Sequence, residues 1–273
     1  FSARYTINAP KKSWELRDRL VAAEVAAPSH WVNVYRCFSK EVIWPRGLPL
    51  EGIHQPVDLL HEGRREVDAP IQQSLADLAP DVDAVWRLVF QRDFHFDDGP
   101  SVLLTRGSWC PFNSQSTWWW ADAFPLLYLP SHCSFRMTDI WRSFIAQRCL
   151  WEFAEGVVFH AAEVRQDRNE HSLTRDFEHE VPGYLRNEEL VRQLESLALT
   201  PGKESVCDNL IRCYERLTEC SFFPADELPL VRLWVDDIET ISGNGASEEK
   251  RNQLSSRKAS PNASEAHALG KAS

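Results

Sequence analysis

Residues Phe135–Val164 read FRMTDIWRSFIAQRCLWEFAEGVVFHAAEV, a helix-length segment that passes through a glycine into a short apolar run. The first part predicts a helix. Thr138 is a candidate N-cap, Asp139 falls in the first turn where the helix dipole favours negative charge, and Ile140, Phe144 and Cys149 begin a broad apolar stripe. Trp141, Ile145 and Leu150 widen that stripe, while Arg142 and Arg148 lie off its centre. GVVFHAAEV, Gly156–Val164, predicts a buried strand. SVLLT (Ser101–Thr105) and FPLLYLP (Phe124–Pro130) predict two more, each bounded by Gly or Pro. Helical spacing marks PIQQSLADL through Ile71, Leu75 and Leu78, EELVRQLESLAL through Leu190, Leu194 and Leu197, and LPLVRLWVDDIETI through Leu230, Trp234, Ile238 and Ile241. Interleaved strands and helices make the class α/β, a mixed sheet flanked by helices.

The 273 residues are 43% hydrophobic, enough for one large or two small cores. With 40 acidic against 30 basic residues the net charge is −10, which argues against nucleic acid as the main partner. The opening FSARYTINAPKK begins at Phe1 and has no leader-peptide pattern, so an incomplete N-terminus is expected and any membrane anchor would lie upstream of residue 1. FPLLYLP, the richest apolar run, is too short to span a bilayer. The seven cysteines include no CxxC pair and match no zinc spacing; they read as buried small hydrophobes, with any pairing left open. From Ser242 the texture becomes Ser-, Ala- and charge-rich without aromatics, a disordered tail with a sequon at Asn262. The organisation is a lead-in over 1–30, a domain over 31–241 and a tail over 242–273.

Five constellations can carry chemistry. Asp81-Val82-Asp83 is a DxD of the kind whose hard oxygens hold Mg²⁺ or Mn²⁺ on a diphosphate; because it follows an apparently helical segment and Pro80, a helix-to-strand turn is the competing reading. In WPRGLPL (Trp44–Leu50) Arg46 lies between Pro and Gly, suited to phosphate or carboxylate recognition or to stacking at the surface. RGSWCPFNSQSTWWW (Arg106–Trp120) places Asn113, Ser114 and Gln115 among aromatic residues, as in sugar-binding walls or an aromatic interface; alternation sends Trp119 opposite to Trp118 and Trp120. Asp139 with Arg142 three residues on is either a dipole-favoured acid in an intrahelical ion pair or a catalytic carboxylate at a pocket mouth. QDRNEHSL (Gln166–Leu173) is a polar loop after a buried strand, in which His171 is a candidate cation ligand or a solvated histidine.

In order, WPRGLPL, QQSLADLAPDVDAVWRL, WCPFNSQST, FPLLYLPSHCSFRMTDIWRSFIAQRCLWE and RNEHSLTRDFEHEVPGYL closely resemble the STELLO glycosyltransferase family over about Trp31 to Ile238. A fainter likeness joins the reversibly glycosylated polypeptides, or UDP-arabinopyranose mutases. There Arg46 matches an arginine associated with sugar attachment, Asp81 and Asp83 match a DYDA-like segment, and Asp139-Ile140-Trp141 matches a DDMW-like helix start. The resemblance implies a GT-A-like nucleotide-sugar fold that binds its donor at the strand C-termini. It implies Asp139 as acceptor base or site carboxylate, and His171 as the nearest candidate to complete a Mn²⁺ or Mg²⁺ site expected of the full-length family domain. Both families carry the donor's metal-binding acids upstream of the WPRG turn, and no such cluster occurs between Phe1 and Trp31. The chain therefore reads as the C-terminal part of a transferase domain, or as one that has lost its metal site.

The expected function is transfer of a sugar from a nucleotide-sugar donor to an acceptor, glycan or protein. Asp139 is the catalytic candidate; Arg46, Asn113, Gln115, Trp141 and Arg142 are substrate-binding candidates; His171, Asp81 and Asp83 are metal candidates. The alternative is a noncatalytic Golgi assembly or trafficking factor that keeps a transferase fold as a platform for other glycan-synthesising proteins. The resemblance implies a Golgi location through an upstream anchor, with a cytoplasmic one as the alternative.

Overall fold

The computed structural model describes residues 5–7, 17–60, 63–167 and 172–243. Seven strands, β1 (Tyr5–Ile7), β2 (Leu20–Val25), β3 (Arg65–Asp68), β4 (Ile71–Leu78), β5 (Ser101–Thr105), β6 (Thr117–Trp119) and β7 (Gly156–Gln166), form one mixed sheet in the order β3-β2-β5-β7-β4-β6, with β1 also pairing β7. β2 runs parallel to β5 and β4 parallel to β7, while β5–β7, β4–β6, β2–β3 and β1–β7 are antiparallel. Among the described residues five α-helices accompany the sheet: α1 (Ala84–Phe90), α2 (Thr138–Leu150), α3 (Leu173–Glu195), α4 (Val206–Glu219) and α5 (Glu227–Ile241). The α/β class read from the sequence holds. β1 and β2 belong to this sheet although they fall in the segment expected to be a lead-in; of the expected tail, residues 244–273 lie outside the described residues.

PIQQSLADL is a strand, not a helix. β4 is buried along Ile71–Asp77, between β7 on one side and β6 on the other. Its apolar residues fall at helical spacing because Gln72, Gln73 and Ser74, all buried, are polar residues in a two-sided interior strand. Gln72 Nε2 donates to the carbonyls of Asp18 (3.1 Å) and Arg19 (3.2 Å), and Gln73 Oε1 accepts from Asn113 N (3.2 Å) and Thr117 Oγ1 (2.9 Å). FPLLYLP is likewise not a strand: Ala121–Leu127 forms a 3₁₀ helix with Pro125 inside it. Proline cannot donate to a strand ladder but is tolerated in so short a turn.

The sheet's two faces follow from alternation along β5. Leu103 joins Val25, Val67 and Val158 in a small apolar cluster, while Val102 and Leu104 join the large core with α2, α3, α4 and α5. Every residue of α2 from Ile140 to Leu150 is buried, including Arg142, Ser143, Gln147 and Arg148, so this helix has no solvent face. It is enclosed by α3, α4, the 3₁₀ segment at Ala121–Leu127 and β7. Thr138 is not its N-cap: a 3₁₀ turn, Phe135–Met137, leads into the helix, and the Thr138 hydroxyl donates back to Ser134 O at 3.3 Å. On α5 the buried positions are Glu227, Val231 and Val235, whereas Leu230 and Ile241 are exposed. The stripe is rotated because the Glu227 carboxylate is itself buried, accepting from Tyr128 Oη (2.5 Å) and from the amides of Ser131 (3.0 Å) and His132 (2.9 Å).

All seven cysteines are free, the contact between Cys149 Sγ and Cys213 Sγ measuring 3.7 Å. Among the described residues no helix is long and apolar enough to cross a membrane.

Candidate functional site

The parallel strands β4 and β7 end side by side, Leu78 paired with Gln166. In open α/β sheets the crevice beyond such ends is where ligands bind. The DxD follows β4 after Ala79-Pro80, so it does end a buried strand, and the reading as a turn after a helix fails with the helix. Its two acids nevertheless have structural work. Asp83 caps α1, Oδ1 accepting from Trp86 N at 2.8 Å, and Oδ2 accepts from Trp44 Nε1 at 2.6 Å. Burial pushes Asp83 up to about 6 despite these bonds.

Asp81 is held from the WPRG turn. Pro45 bridges Val82, and Arg46 N donates to Asp81 O at 3.1 Å, which lays the turn along the DxD backbone. The Arg46 guanidinium then grips Asp81 through both edges of the carboxylate, Nε to Oδ1 at 2.9 Å and Nη2 to Oδ2 at 2.7 Å. The same Nη2 reaches Asp139 Oδ1 at 3.0 Å and Oδ2 at 3.2 Å, and Nη1 donates to Arg136 O. Gly47 makes this approach possible. Its φ is +86°, and a Cβ there would collide with Ile140 Cγ2, one residue past Asp139. Asn187 of α3 locks the turn by donating to Gly47 O at 2.7 Å.

Asp139 occupies the first turn of α2, as expected, and its carboxylate is met from two other motifs, by Arg46 and by Ser114. Ser114 N donates to its Oδ2 at 3.1 Å, and Ser114 Oγ in turn accepts from Arg142 Nη2 at 3.0 Å. Burial resists ionisation of Asp139, but the Arg46 charge and hydrogen bond outweigh it, with Arg142 and the Ser114 amide adding to them, so the carboxyl is held below its ordinary range. Arg46 is correspondingly raised well above its usual value: burial opposes its charge and the two aspartates overcome it. Asn113 and Gln115 shape the loop under Asp139. Asn113 Oδ1 accepts from Gln115 N at 2.8 Å, and Gln115 Nε2 donates to Ala79 O at 2.9 Å and to Gln166 Oε1, tying the loop to the ends of both parallel strands.

Arg46, Asp81, Asn113, Gln115, Asp139 and Arg142 are thus brought together from four separate segments. Arg142 does not form the expected ion pair with Asp139; it turns toward the Trp119 and Phe112 rings, 4.9 and 5.6 Å from their centroids. Trp141 is not part of the cluster. It is 3% exposed, donates from Nε1 to Asn187 Oδ1 at 2.9 Å and packs on Phe222 and Phe223, because α2 is enclosed on that side by α3 and the α4–α5 segment. His171 lies outside the described residues. A divalent cation does not fit the two remaining metal candidates as they stand: Arg46 grips both oxygens of Asp81, Asp83 is committed to Trp44 and the α1 amide, and among the described residues no three acidic, His or Cys groups gather as ligands.

Sequence reasoning missed three contributors. Arg136, inside the opening stretch, donates from Nε to Glu180 Oε1 at 2.9 Å, and Glu180 Oε2 accepts from Ala84 N at 2.7 Å, extending the charged network into α3 and α1. Gln73 supports the Asn113 loop from β4. The polar run QQS in an otherwise apolar segment was the available signal for it.

Comparison with known proteins agrees with the resemblance read from the sequence. A family model described as STELLO glycosyltransferases matches residues 136–266. The chain is 30% identical over 224 residues to a protein of Arabidopsis thaliana named probable glycosyltransferase STELLO1, a match covering 77% of this chain and 28% of that protein. It is 29% identical over 221 residues to probable glycosyltransferase STELLO2 of the same plant, covering 76% and 28%. The chain therefore spans a little over a quarter, 28%, of the length of these curated relatives.

Proposed function

We propose, from the premise that this chain is STELLO-like over most of its length, that it forms part of a glycosyltransferase site of GT-A type, acting on a nucleotide-sugar donor and a hydroxyl acceptor on a glycan or protein. The observation that carries this reading is the convergence of Arg46, Asp81, Ser114 and Asp139 at the ends of two parallel strands. In the transfer, the acceptor oxygen bonds to the anomeric carbon as the bond from that carbon to the diphosphate breaks, and its electron pair leaves with the diphosphate. The acceptor's proton needs a receiver. Asp139 is ionised at neutral pH and partly open to solvent, its side chain 19% exposed, and a carboxylate has about four lone-pair positions, of which Arg46 and Ser114 occupy part. It therefore orients the hydroxyl and takes the proton as the new bond forms, rather than removing it beforehand, since a depressed carboxyl is a weak base in the ground state. Arg46 and Asp81 are positioning residues for that carboxylate.

The setting we propose for this activity is the Golgi, as the family resemblance read from the sequence implies. A second reading, a noncatalytic platform for glycan-synthesising proteins, draws on the same bonds: Arg46 and Asp81 satisfy each other without a ligand. The full-length protein incubated with a panel of nucleotide sugars separates the two. Release of nucleoside diphosphate from at least one donor is expected, and absence of release from every donor by folded protein would favour the platform.

A further inference from the structure

Arg142 is a buried charge that, among the described residues, makes no close ion pair; Asp139 acts on it only at longer range. Arg46 and Arg148, on the same side of the sheet and equally buried, are each answered by a carboxylate, Asp81 and Asp139 for the first and Glu152 for the second. Arg142, 3% exposed, has no carboxylate within ion-pairing distance among the described residues; its Nε is buried with no hydrogen-bond partner, and Nη2 reaches only the Ser114 hydroxyl. Its flat faces are covered by Trp119 and Phe112. Its ring contacts and the distant Asp139 offset only part of the desolvation, and an apolar side chain of the same shape would serve the fold as well or better. Burial lowers it to about 10, so it still carries its charge at neutral pH.

Ser114 connects this charge to the outside. It is exposed, its amide is engaged by Asp139, and its oxygen is engaged by Arg142. Because that oxygen accepts from a guanidinium, its own proton is left to donate outward. We propose that Arg142, acting through and beside Ser114 against the Trp119 ring, is an anchor for a substrate oxyanion next to Asp139. The inference rests on the transferase reading for the identity of the oxyanion: the diphosphate of a nucleotide-sugar donor, or the carboxylate of an acidic sugar. Guanidinium suits both, offering parallel donors to two oxygens. Trp119 supplies an aromatic wall along which a sugar or base can lie.

The test is calorimetric titration of the full chain with inorganic pyrophosphate and, separately, with glucuronate, in wild type and in Arg142→Met, Arg142→Lys and Ser114→Ala. Pyrophosphate binding is expected, with Kd raised at least tenfold in Arg142→Met, less in Arg142→Lys and severalfold in Ser114→Ala. The unfolding midpoint of ligand-free Arg142→Met should be equal to or above that of wild type. Glucuronate binding with the same dependence on Arg142, in place of pyrophosphate, would support the anchor and assign it to an acidic sugar. Three results would overturn it: no binding of either probe by wild type, binding equally tight in Arg142→Met, or a midpoint lowered in Arg142→Met, which marks a structural arginine. Arg142-dependent pyrophosphate binding by a full-length protein that releases no diphosphate from any donor would keep the anchor and remove the transferase reading. Diphosphate release unaltered by Arg142→Met would remove the anchor alone.

Discussion

Arg46→Met strips the cation from Asp81 and Asp139 together, and its effect can be worked out from the contacts. Arg46 holds the two carboxylates at 2.7 and 3.0 Å, with side-chain exposures of 6%, 12% and 19% for Arg46, Asp81 and Asp139. At an effective dielectric near 20, each pair of charges about 4 Å apart contributes about 4 kcal/mol before desolvation. Burying the guanidinium offsets much of that, and loss of one partner from a buried pair typically costs about 3–5 kcal/mol. We therefore expect Arg46→Met to lose about 4 kcal/mol at pH 7, measured by urea unfolding. The pH dependence carries a sign. Asp139 is depressed in the folded protein, so its contribution is present above the unfolded carboxylate value, about 3.9, and is lost as pH falls through the lower folded value. In the variant Asp139 loses that depression and takes up a proton more readily, so the gap from wild type should narrow below about pH 5. A loss under about 1 kcal/mol at pH 7, or a gap that does not change with pH, would refute the account of Arg46 as the hub.

Other consequences follow from individual contacts. Gly47→Ala places a side chain at φ +86° and against Ile140 Cγ2, and should cost about 3 kcal/mol in urea unfolding, combining left-handed strain with overpacking. Trp141→Phe removes the indole donor to Asn187, and should cost about 1–2 kcal/mol while leaving substrate binding unchanged in the pyrophosphate titration. Asp83 is raised to about 6, so its effect on stability is most favourable below the unfolded value and is lost as pH rises toward 6. The stability difference between wild type and Asp83→Asn should accordingly shift by about 2 kcal/mol against wild type between pH 4 and pH 7, and an unchanging difference would contradict the burial argument.

The strongly patterned parts of the chain were legible without coordinates. GVVFHAAEV and SVLLT form β7 and β5 because their apolar runs are buried strands whose composition admits little else. α3 and α5 were legible from spacing, although on α5 the stripe shifts to Glu227, Val231 and Val235, since a glutamate satisfied by loop amides is a core residue that a hydrophobic pattern cannot register. β4 was misread for the same reason: Gln72, Gln73 and Ser74 are interior residues whose hydrogen bonds, not their hydrophobicity, make them so. That error hid the placement of the DxD at a strand end. Asp139 and Arg46 were legible as candidates from their motifs, but their mutual contact, 93 positions apart in the chain, was not. Nor was the fate of the tryptophans. Local sequence makes Trp119 and Trp141 look alike, and only the enclosure of α2 separates the ring beside Arg142 from the one buried on Asn187.

The central claim is that Asp139, held ionised by Arg46 and the Ser114 amide, receives the acceptor proton. Its most direct test is the turnover of a nucleotide sugar by the full-length protein in wild type and Asp139→Asn, with folding of both confirmed by their unfolding midpoints. An amide can still accept from Arg46 and Ser114 but cannot take the proton, so a fall in kcat of at least about a hundredfold is predicted with the fold retained. Equal turnover in the two proteins would contradict it.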